Sequence, residues 1–389
     1  MMRPLYLFNP ENDLALAAGV PNYTAPRAAR KLREDLQMLP AWVAYGQAFV
    51  LAHPSAVHSE YLRELRSHLS SLDGVAVYHG NPEDVSYAIP WGWSLTVCEE
   101  LRRLGLKTAA TMSGLETLRQ LSHRRTTVNV FEWLRRHRAE VDLPDSPVVC
   151  HSVEEVHAVV ARFGIAVMKV PWSSSGRGVC RVKIEDFELY RQWVAGILRR
   201  QGALLCERYY DKIQDFAMEF RVEQRKVEYE GLSVFSNTPQ MSYDHAIVAP
   251  ESVLRQHLSA YLSEDAFEVV KQAVKTCLQA ILPEYYRGYV GVDMIIYRDT
   301  GGMMRVNPCI EVNLRMTMGV VASKLGNRVL SHEATGKMYV LYHRTTDEAK
   351  NYCASLAQPE FSNGRLCGGS LLLSPVPDDV RYTAVLTVD

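Results

Sequence analysis

The sequence predicts an α/β fold: an N-terminal α/β domain over residues 1–120, followed by a two-lobed α+β unit with a small lobe at 121–203 and a large lobe at 204–389. Three observations predict it. Through the first 120 or so residues, short apolar strands alternate with helical patterns, which implies a mostly parallel sheet. Beyond Gly164 two strands flank a Ser/Gly-rich turn, with Lys169 near the end of the first. From Ala203 to Leu314 the chain is β-rich, and two of its apolar strands carry carboxylates.

The elements follow in order. PLYLF (4–8), AFVLAH (48–53) and VAVYH (75–79) read as strands, and Ser94–Leu106 as a helix with Leu95, Cys98, Leu101 and Leu104 on one face. Residues 114–139 read as one Arg-rich helix, and VHAVVARFG (156–164) as a helix stopped by Gly164. IAVMKVP (165–171) and GVCRV (178–182) are strands around the loop WSSSGR; a helix spans about 186–200. ALLCERYY (203–210), FAMEFRVEQ and KVEYEGLSVFS are strands, 264–282 is a long amphipathic helix, and YVGVDMIIY (289–297) and MRVNPCIEVNL (304–314) are two more strands. In the tail, CGGSLLLSP and RYTAVLTV suggest a final hairpin.

Composition narrows the function. Among 389 residues, 43 Lys and Arg balance 44 Asp and Glu, so no charge excess argues for nucleic acid or an anionic membrane. The eight cysteines form no CxxC pair, which argues against zinc, and several sit in apolar runs as free thiols do in a reducing cytosol. MMRPLYLFNPEND lacks the apolar stretch of a signal peptide, and no apolar run reaches membrane-spanning length. A cytoplasmic protein is expected.

Three motifs carry chemistry. In KVPWSSSGRGV (169–179), glycines let backbone N–H groups approach phosphate oxygens, serines add donors, and Lys169 adds a point charge. Read blandly, it is a polar hairpin turn. In GVDMIIY…NPCIEVNLRMTMG, Glu311 and Asn313 are two apart and share a strand face, with Asp293 on the preceding strand. Two carboxylates and an amide oxygen are hard ligands of the kind Mg²⁺ prefers, and a cation relieves the cost of placing them in apolar strands. Arg315 continues that face, where a guanidinium can hold a carboxylate or acyl-phosphate oxygen. LLCERYY (204–210) ends an apolar strand with two aromatics, as an adenine slot would; an ordinary strand end explains it equally well. The segment NPENDLA (9–15) follows the first strand, where Asn9, Glu11, Asn12 and Asp13 could bind a substrate, but a helix start capped by Asn12 or Asp13 is the simpler reading. The Trp pair of PWGW (90–93) reads as core packing before a substrate pocket.

In their order, Lys169 with its SSSGRG loop, the ERYY segment and the D…E-V-N-L-R ending resemble the ATP-grasp superfamily over about residues 120–320. The resemblance implies ATP and Mg²⁺ (or Mn²⁺). It implies that Lys169 holds the α/β-phosphates, that Ser173, Ser174, Ser175, Gly176 and Gly178 cover them, and that Glu207, Arg208, Tyr209 and Tyr210 form the adenine hinge. Asp215, or Glu219 in its place, would hold the ribose; Asp293, Glu311 and Asn313 the metal; and Arg315 the transferring group. The family's small-lobe Lys is matched by Arg124 or Arg125 of SHRRTT, and Arg221 resembles an arginine used near the γ-phosphate. The activity implied is a carboxylate–amine (or carboxylate–thiol) ligase acting on small molecules through an acyl-phosphate, and a homodimer is left open. The competing readings are a phosphotransferase on the same fold and a nucleotide-binding regulatory protein without turnover.

Overall fold

The computed structural model describes residues 2–53, 55–107, 111–137, 139–173, 178–238 and 241–388. The N-terminal strands β1 (Arg3–Leu7), β2 (Ala48–Leu51), β3 (Val75–Val77) and β4 (Val85–Pro90) form a parallel sheet in the order β3-β2-β1-β4. The first three match the predicted strands. β4 went unrecognised, because VSYAIP ends in the proline that usually marks a strand's limit. The helix predicted at 94–106 forms as Leu95–Arg103, capped by the Ser94 hydroxyl.

The single helix expected at 114–139 is two helices, Met112–Leu121 and Arg125–Arg136. The break carries neither Gly nor Pro. Here the ring Nδ1 of His123 accepts from the Arg125 N–H at 2.9 Å, replacing the helical partner that N–H would otherwise need.

A second sheet has the order β5-β8-β6-β7, from β5 (Val148–Cys150), β6 (Ile165–Lys169), β7 (Val179–Lys183) and β8 (Leu204–Arg208). Helices Val153–Phe163 and Phe187–Gln201 cover one face. Gly164 stops the first of them with φ of 73°. Strand β8, expected to open the large lobe at 204, is instead paired inside this small sheet.

The remaining chain builds an eight-stranded sheet of order β13-β12-β9-β10-β11-β14-β18-β17. Its members are β9 (Asp211–Glu223), β10 (Lys226–Asn237), β11 (Tyr243–Val248), β12 (Gly288–Arg298), β13 (Met304–Asn313), β14 (Gly336–Tyr342), and, after the hairpin β15 (Glu360–Ser362) and β16 (Arg365–Gly368), β17 (Ser370–Leu372) and β18 (Tyr382–Val388). The predicted final hairpin is present as the antiparallel pair β17–β18, and it extends the large sheet through β14.

Period-two alternation assigns the faces of this sheet. Phe216, Met218, Phe220 and Val222 of β9, with Val290, Val292 and Ile296 of β12, are buried in one core with Val130, Phe131, Val270 and Val274 of the covering helices. Asp215, Ala217 and Glu219 of β9 and Asp293 of β12 take the opposite face. There the N-terminal part and helix Met318–Arg328 cover one end, in a core that joins Phe8, Trp42 and Trp91 to Val320, Leu325 and Leu386. The small sheet lies over the other end. Among the described residues, no helix is long and apolar enough to cross a membrane.

Candidate functional site

A cavity of about 570 Å³ opens between the small sheet and the alternate face of β9, β10, β12 and β13. The local alternation that buries Ala166 and Met168 of β6 under the helices turns Val167 and Lys169 toward it. Lys169, 4% exposed, reaches Glu207 Oε1 at 2.5 Å and donates to the Ile310 carbonyl at 3.1 Å, so one ammonium ties β6 to β8 and to β13. On β8, Leu204 and Cys206 face the small core while Glu207 lines the cavity. Arg208 turns its guanidinium to Asp145 at 2.7 Å and over Phe163. Tyr209 carries Arg181 over its ring at 4.0 Å, and Tyr210 leans on Tyr297 at 4.4 Å. Tyr209 and Tyr210 wall one end of the cavity. Asp215 stands beside them, paired with Lys212 at 2.5 Å, and burial outweighs that lysine in raising its carboxyl above the usual range.

Across β12 and β13, Asp293 pairs directly with Glu311, and Asn313 lies one row on opposite Gly291. Burial, then the Glu311 charge, pushes Asp293 up to about 7, while the Asn313 side chain opposes that rise as its hydrogen-bond partner. Two carboxylates held face to face with an amide oxygen form an all-oxygen set whose repulsion a divalent cation would relieve. The set holds only two acids; among the described residues no group of three or more His, Cys, Asp or Glu could hold a metal.

Of the two candidate arginines, the structure brings in Arg124. Its Nη1 donates to Glu311 Oε2 at 2.6 Å, its Nη2 to Ser173 Oγ at 3.2 Å and its Nε to the Val170 carbonyl at 3.0 Å. Arg125 is exposed. The helix break at 122–124 is what points Arg124 into the site, a consequence hidden from a reading that ran the helix through. Arg315 is held on three sides: Nη2 donates to Asn313 Oδ1 at 3.0 Å, Nη1 to the Met316 carbonyl at 3.2 Å and Nε to Asp13 Oδ2 at 3.0 Å. Asp13 thus reaches the cavity's edge. Burial raises its carboxyl, with Arg315 opposing that rise. The helix Asn12–Ala18 starts without any side-chain cap bond, which overturns the capping expected of Asn12 or Asp13. Trp91 is buried edge-on against Phe8 at 4.8 Å, as core packing requires.

Glu219 lies apart from Asp215. It sits four residues beyond Asp215 on β9, about 13 Å at the usual strand rise. There Oε1 accepts from Thr317 Oγ1 at 2.8 Å, and burial, above all, pushes the carboxyl up to about 8. Arg221 does not join the others: outside the cavity lining, it pairs with Glu223 and rests 6.0 Å from the Tyr45 ring. Ser173 follows β6 and Gly178 precedes β7, whereas Ser174, Ser175 and Gly176 lie outside the described residues. The sequence reading missed Lys212, Ser233, Thr317 and Gly319, all of which line the cavity.

No protein-family model matches the chain, and no curated protein matches it in sequence. Solved structures do. The biotin carboxylase of Campylobacter jejuni, solved as a β,γ-ATP complex, is 12% identical with a TM-score of 0.55, over 100% of this chain and 88% of that one. The biotin carboxylase domain of Hydrogenobacter thermophilus 2-oxoglutarate carboxylase, solved with MgADP, ADP and bicarbonate, is 13% identical with a TM-score of 0.52, over 99% of this chain and 86% of that one. The chain has the ATP-grasp fold. The ATP-grasp arrangement explains the cavity's position between a small and a large sheet. An N5-carboxyaminoimidazole synthetase from Staphylococcus aureus with ADP also matches, at 13% identity and a TM-score of 0.49, over 100% of this chain and 94% of that one.

Proposed function

We propose that the chain is an ATP-dependent ligase that activates a carboxylate as an acyl-phosphate and joins it to an amine, releasing ADP and phosphate. The observation that carries this is the order of groups along one cavity. An aromatic hinge with Asp215 stands at one end, Lys169 and Arg124 follow, then the Asp293–Glu311–Asn313 set, then Arg315. That order suits a nucleoside triphosphate laid with its base at the hinge and its terminal phosphate toward Arg315.

Each residue's work follows from its chemistry. Glu207 to Tyr210 frame the base, and Asp215 accepts from the ribose hydroxyls. Lys169 and the forked Arg124 hold phosphate oxygens. Asp293, Glu311 and Asn313 would hold Mg²⁺, which when bound draws charge from the phosphate oxygens. Arg315, fixed by Asn313 and Asp13, orients the substrate carboxylate toward the γ-phosphorus and then steadies the oxyanion formed on amine attack. Ser173 and Gly178 help to keep water from the activated acyl group.

The test is ADP release from ATP with Mg²⁺, using pooled carboxylates and pooled amines, apart and together. Release that needs both pools is expected. Release with one pool and no hydroxamate on adding hydroxylamine would point instead to phosphoryl transfer onto a hydroxyl.

A further inference from the structure

Apart from Asp13, the segments NPENDLA (9–15) and PWGW (90–93) have no part in the reading above. They leave the C-terminal ends of the neighbouring parallel strands β1 and β4, where open α/β sheets commonly hold a ligand. Here they hold a piece of the large lobe. Asn9, 3% exposed, uses both ends of its amide on one residue: Nδ2 donates to the Gly92 carbonyl at 2.8 Å and Oδ1 accepts from the Gly92 N–H at 3.2 Å. Gly92 forms an antiparallel bridge with Arg315, and the Trp91 carbonyl accepts from the Met316 N–H at 2.7 Å. The Met316 carbonyl in turn accepts from Arg315 Nη1. From the other side, Asp13 Oδ2 accepts from Arg315 Nε. The two segments meet closely: a Cβ on Gly92 would stand 2.4 Å from Asn12 Nδ2.

A guanidinium carries five N–H donors in a fixed plane. Asp13, Asn313 and Met316 each take one from Arg315, which leaves one on each Nη among the described residues. That remaining pair is a fork of the kind that meets a carboxylate with two parallel hydrogen bonds. Its direction depends on where the Met316 carbonyl and Asp13 stand. We infer that Asn9 is a positioning residue for Arg315: by gripping Gly92 it sets the Trp91 carbonyl and Met316, and so, with Asp13, aims the free fork at the substrate carboxylate. This rests on the ligase reading above and deepens it. Asn9 has no end of its amide left for a substrate, and the N-terminal part serves the reaction by aiming an arginine of the large lobe. A misplacement of about 1 Å in such a group costs on the order of a hundredfold in rate.

The test uses the full chain as wild type, Asn9→Ala, Arg315→Ala and the double variant. Hydroxamate formation is measured with ATP, Mg²⁺, pooled carboxylates and hydroxylamine. In Asn9→Ala, kcat should fall roughly tenfold to a hundredfold while KM for ATP stays within about twofold. Added to Arg315→Ala, the same change should cost nothing further, because the group it aims is gone. A merely structural Asn9 would move both constants and add its loss to that of Arg315. Additive losses, or an unchanged kcat in Asn9→Ala, overturn the inference. Asp13→Asn, which keeps an acceptor oxygen, should lose less than Asp13→Ala. Should Asn9→Ala not fold, Gly92→Ala presses on the same contact from the other side and should show the same pattern. Crystals of wild type and Asn9→Ala grown with ADP and Mg²⁺ give the second readout. The Arg315 guanidinium should leave its place in the variant while Lys169 and Asn313 keep theirs; an Arg315 that stays put overturns the inference. A wild type that makes no hydroxamate counts against the ligase reading alone, and the crystals then decide the positioning by themselves.

Discussion

Single side chains in this cavity are set by what surrounds them, and that makes their loss readable. Lys169 joins the lobes through Glu207 and Ile310, and Glu311 does so by holding Arg124, which in turn donates to Val170 and Ser173 of the small lobe. Lys169→Ala and Glu311→Gln should each lower turnover by more than about a hundredfold, the scale of a lost charge-stabilising group; steady-state ADP release at near wild-type rates would refute these roles. Glu219 offers a separate, thermodynamic test. Its carboxyl rises from 4.5 to about 8 on burial, so the folded state holds the proton that the unfolded state releases. The resulting stability is full below about pH 4.5 and is lost as pH climbs through 8, roughly 3–5 kcal/mol in all. Glu219→Gln, which cannot ionise, should therefore flatten the decline in urea midpoint between pH 5 and 8.5; parallel declines would reject this account. Legibility at this scale followed chemistry. Lys169, Asp293, Glu311, Asn313 and Arg315 stood out as polar residues in apolar strands of period two. Ser233 and Thr317 did not, since a small hydroxyl residue is ordinary anywhere in a sequence, and only tertiary packing puts Ser233 on the cavity and the helix-capping Thr317 against Glu219. Asp13 meets Arg315 across 302 positions, a separation no local pattern encodes.

Elements were legible where periodicity and punctuation agreed. Strand β6, the helix ending at Gly164 and the helix Glu264–Ile281 all had both signals. The break at His123 and the strand ending in Pro90 had one signal against the other, and there tertiary contacts decided. The same competition predicts opposite outcomes for two helical glycines. Helix propensity alone favours Ala over Gly by about 1 kcal/mol. At Gly196, in Phe187–Gln201, an added Cβ meets only the flexible tip of Arg200, 3.3 Å away, so propensity should win and Gly196→Ala should stabilise by about 0.5–1 kcal/mol. At Gly326, in Met318–Arg328, the Cβ would stand 2.1 Å from the Ala249 carbonyl oxygen, a backbone atom that cannot swing away. Overpacking should win there, and Gly326→Ala should destabilise by about 1–3 kcal/mol. Equilibrium urea unfolding of both variants settles it; equal shifts would mean that packing at Gly326 is looser than the backbone geometry requires.

At the scale of the whole molecule, the cores are shared unequally. The N-terminal sheet has no separate core on its inner side: Phe8, Trp42 and Trp91 pack with Val320, Leu325 and Leu386, and Trp42 Nε1 donates to the Leu373 carbonyl at 2.8 Å. The fully buried residues of the small sheet's core, by contrast, all lie between Cys150 and Cys206. Among the described residues its ties to the rest include Lys169 to Ile310, Arg124 to Val170, Pro171 and Ser173, and Trp172, which donates to the Arg119 carbonyl at 2.9 Å and packs edge-on against His123. Shared apolar burial couples two parts into one cooperative unit, whereas a few polar ties, each worth about 0.5–3 kcal/mol net, let a lobe swing or open by itself. Native-state hydrogen exchange should therefore show the N-terminal and large sheets opening together, near the global unfolding free energy. The small sheet should open several kcal/mol below it. ATP with Mg²⁺, bridging Lys169 on one lobe to Asp293 and Glu311 on the other, should raise protection of 148–208 more than that of the N-terminal strands. Uniform protection across all three sheets, with or without nucleotide, would show that the lobes move as one body, and the cavity would then need another route for its ligands to enter.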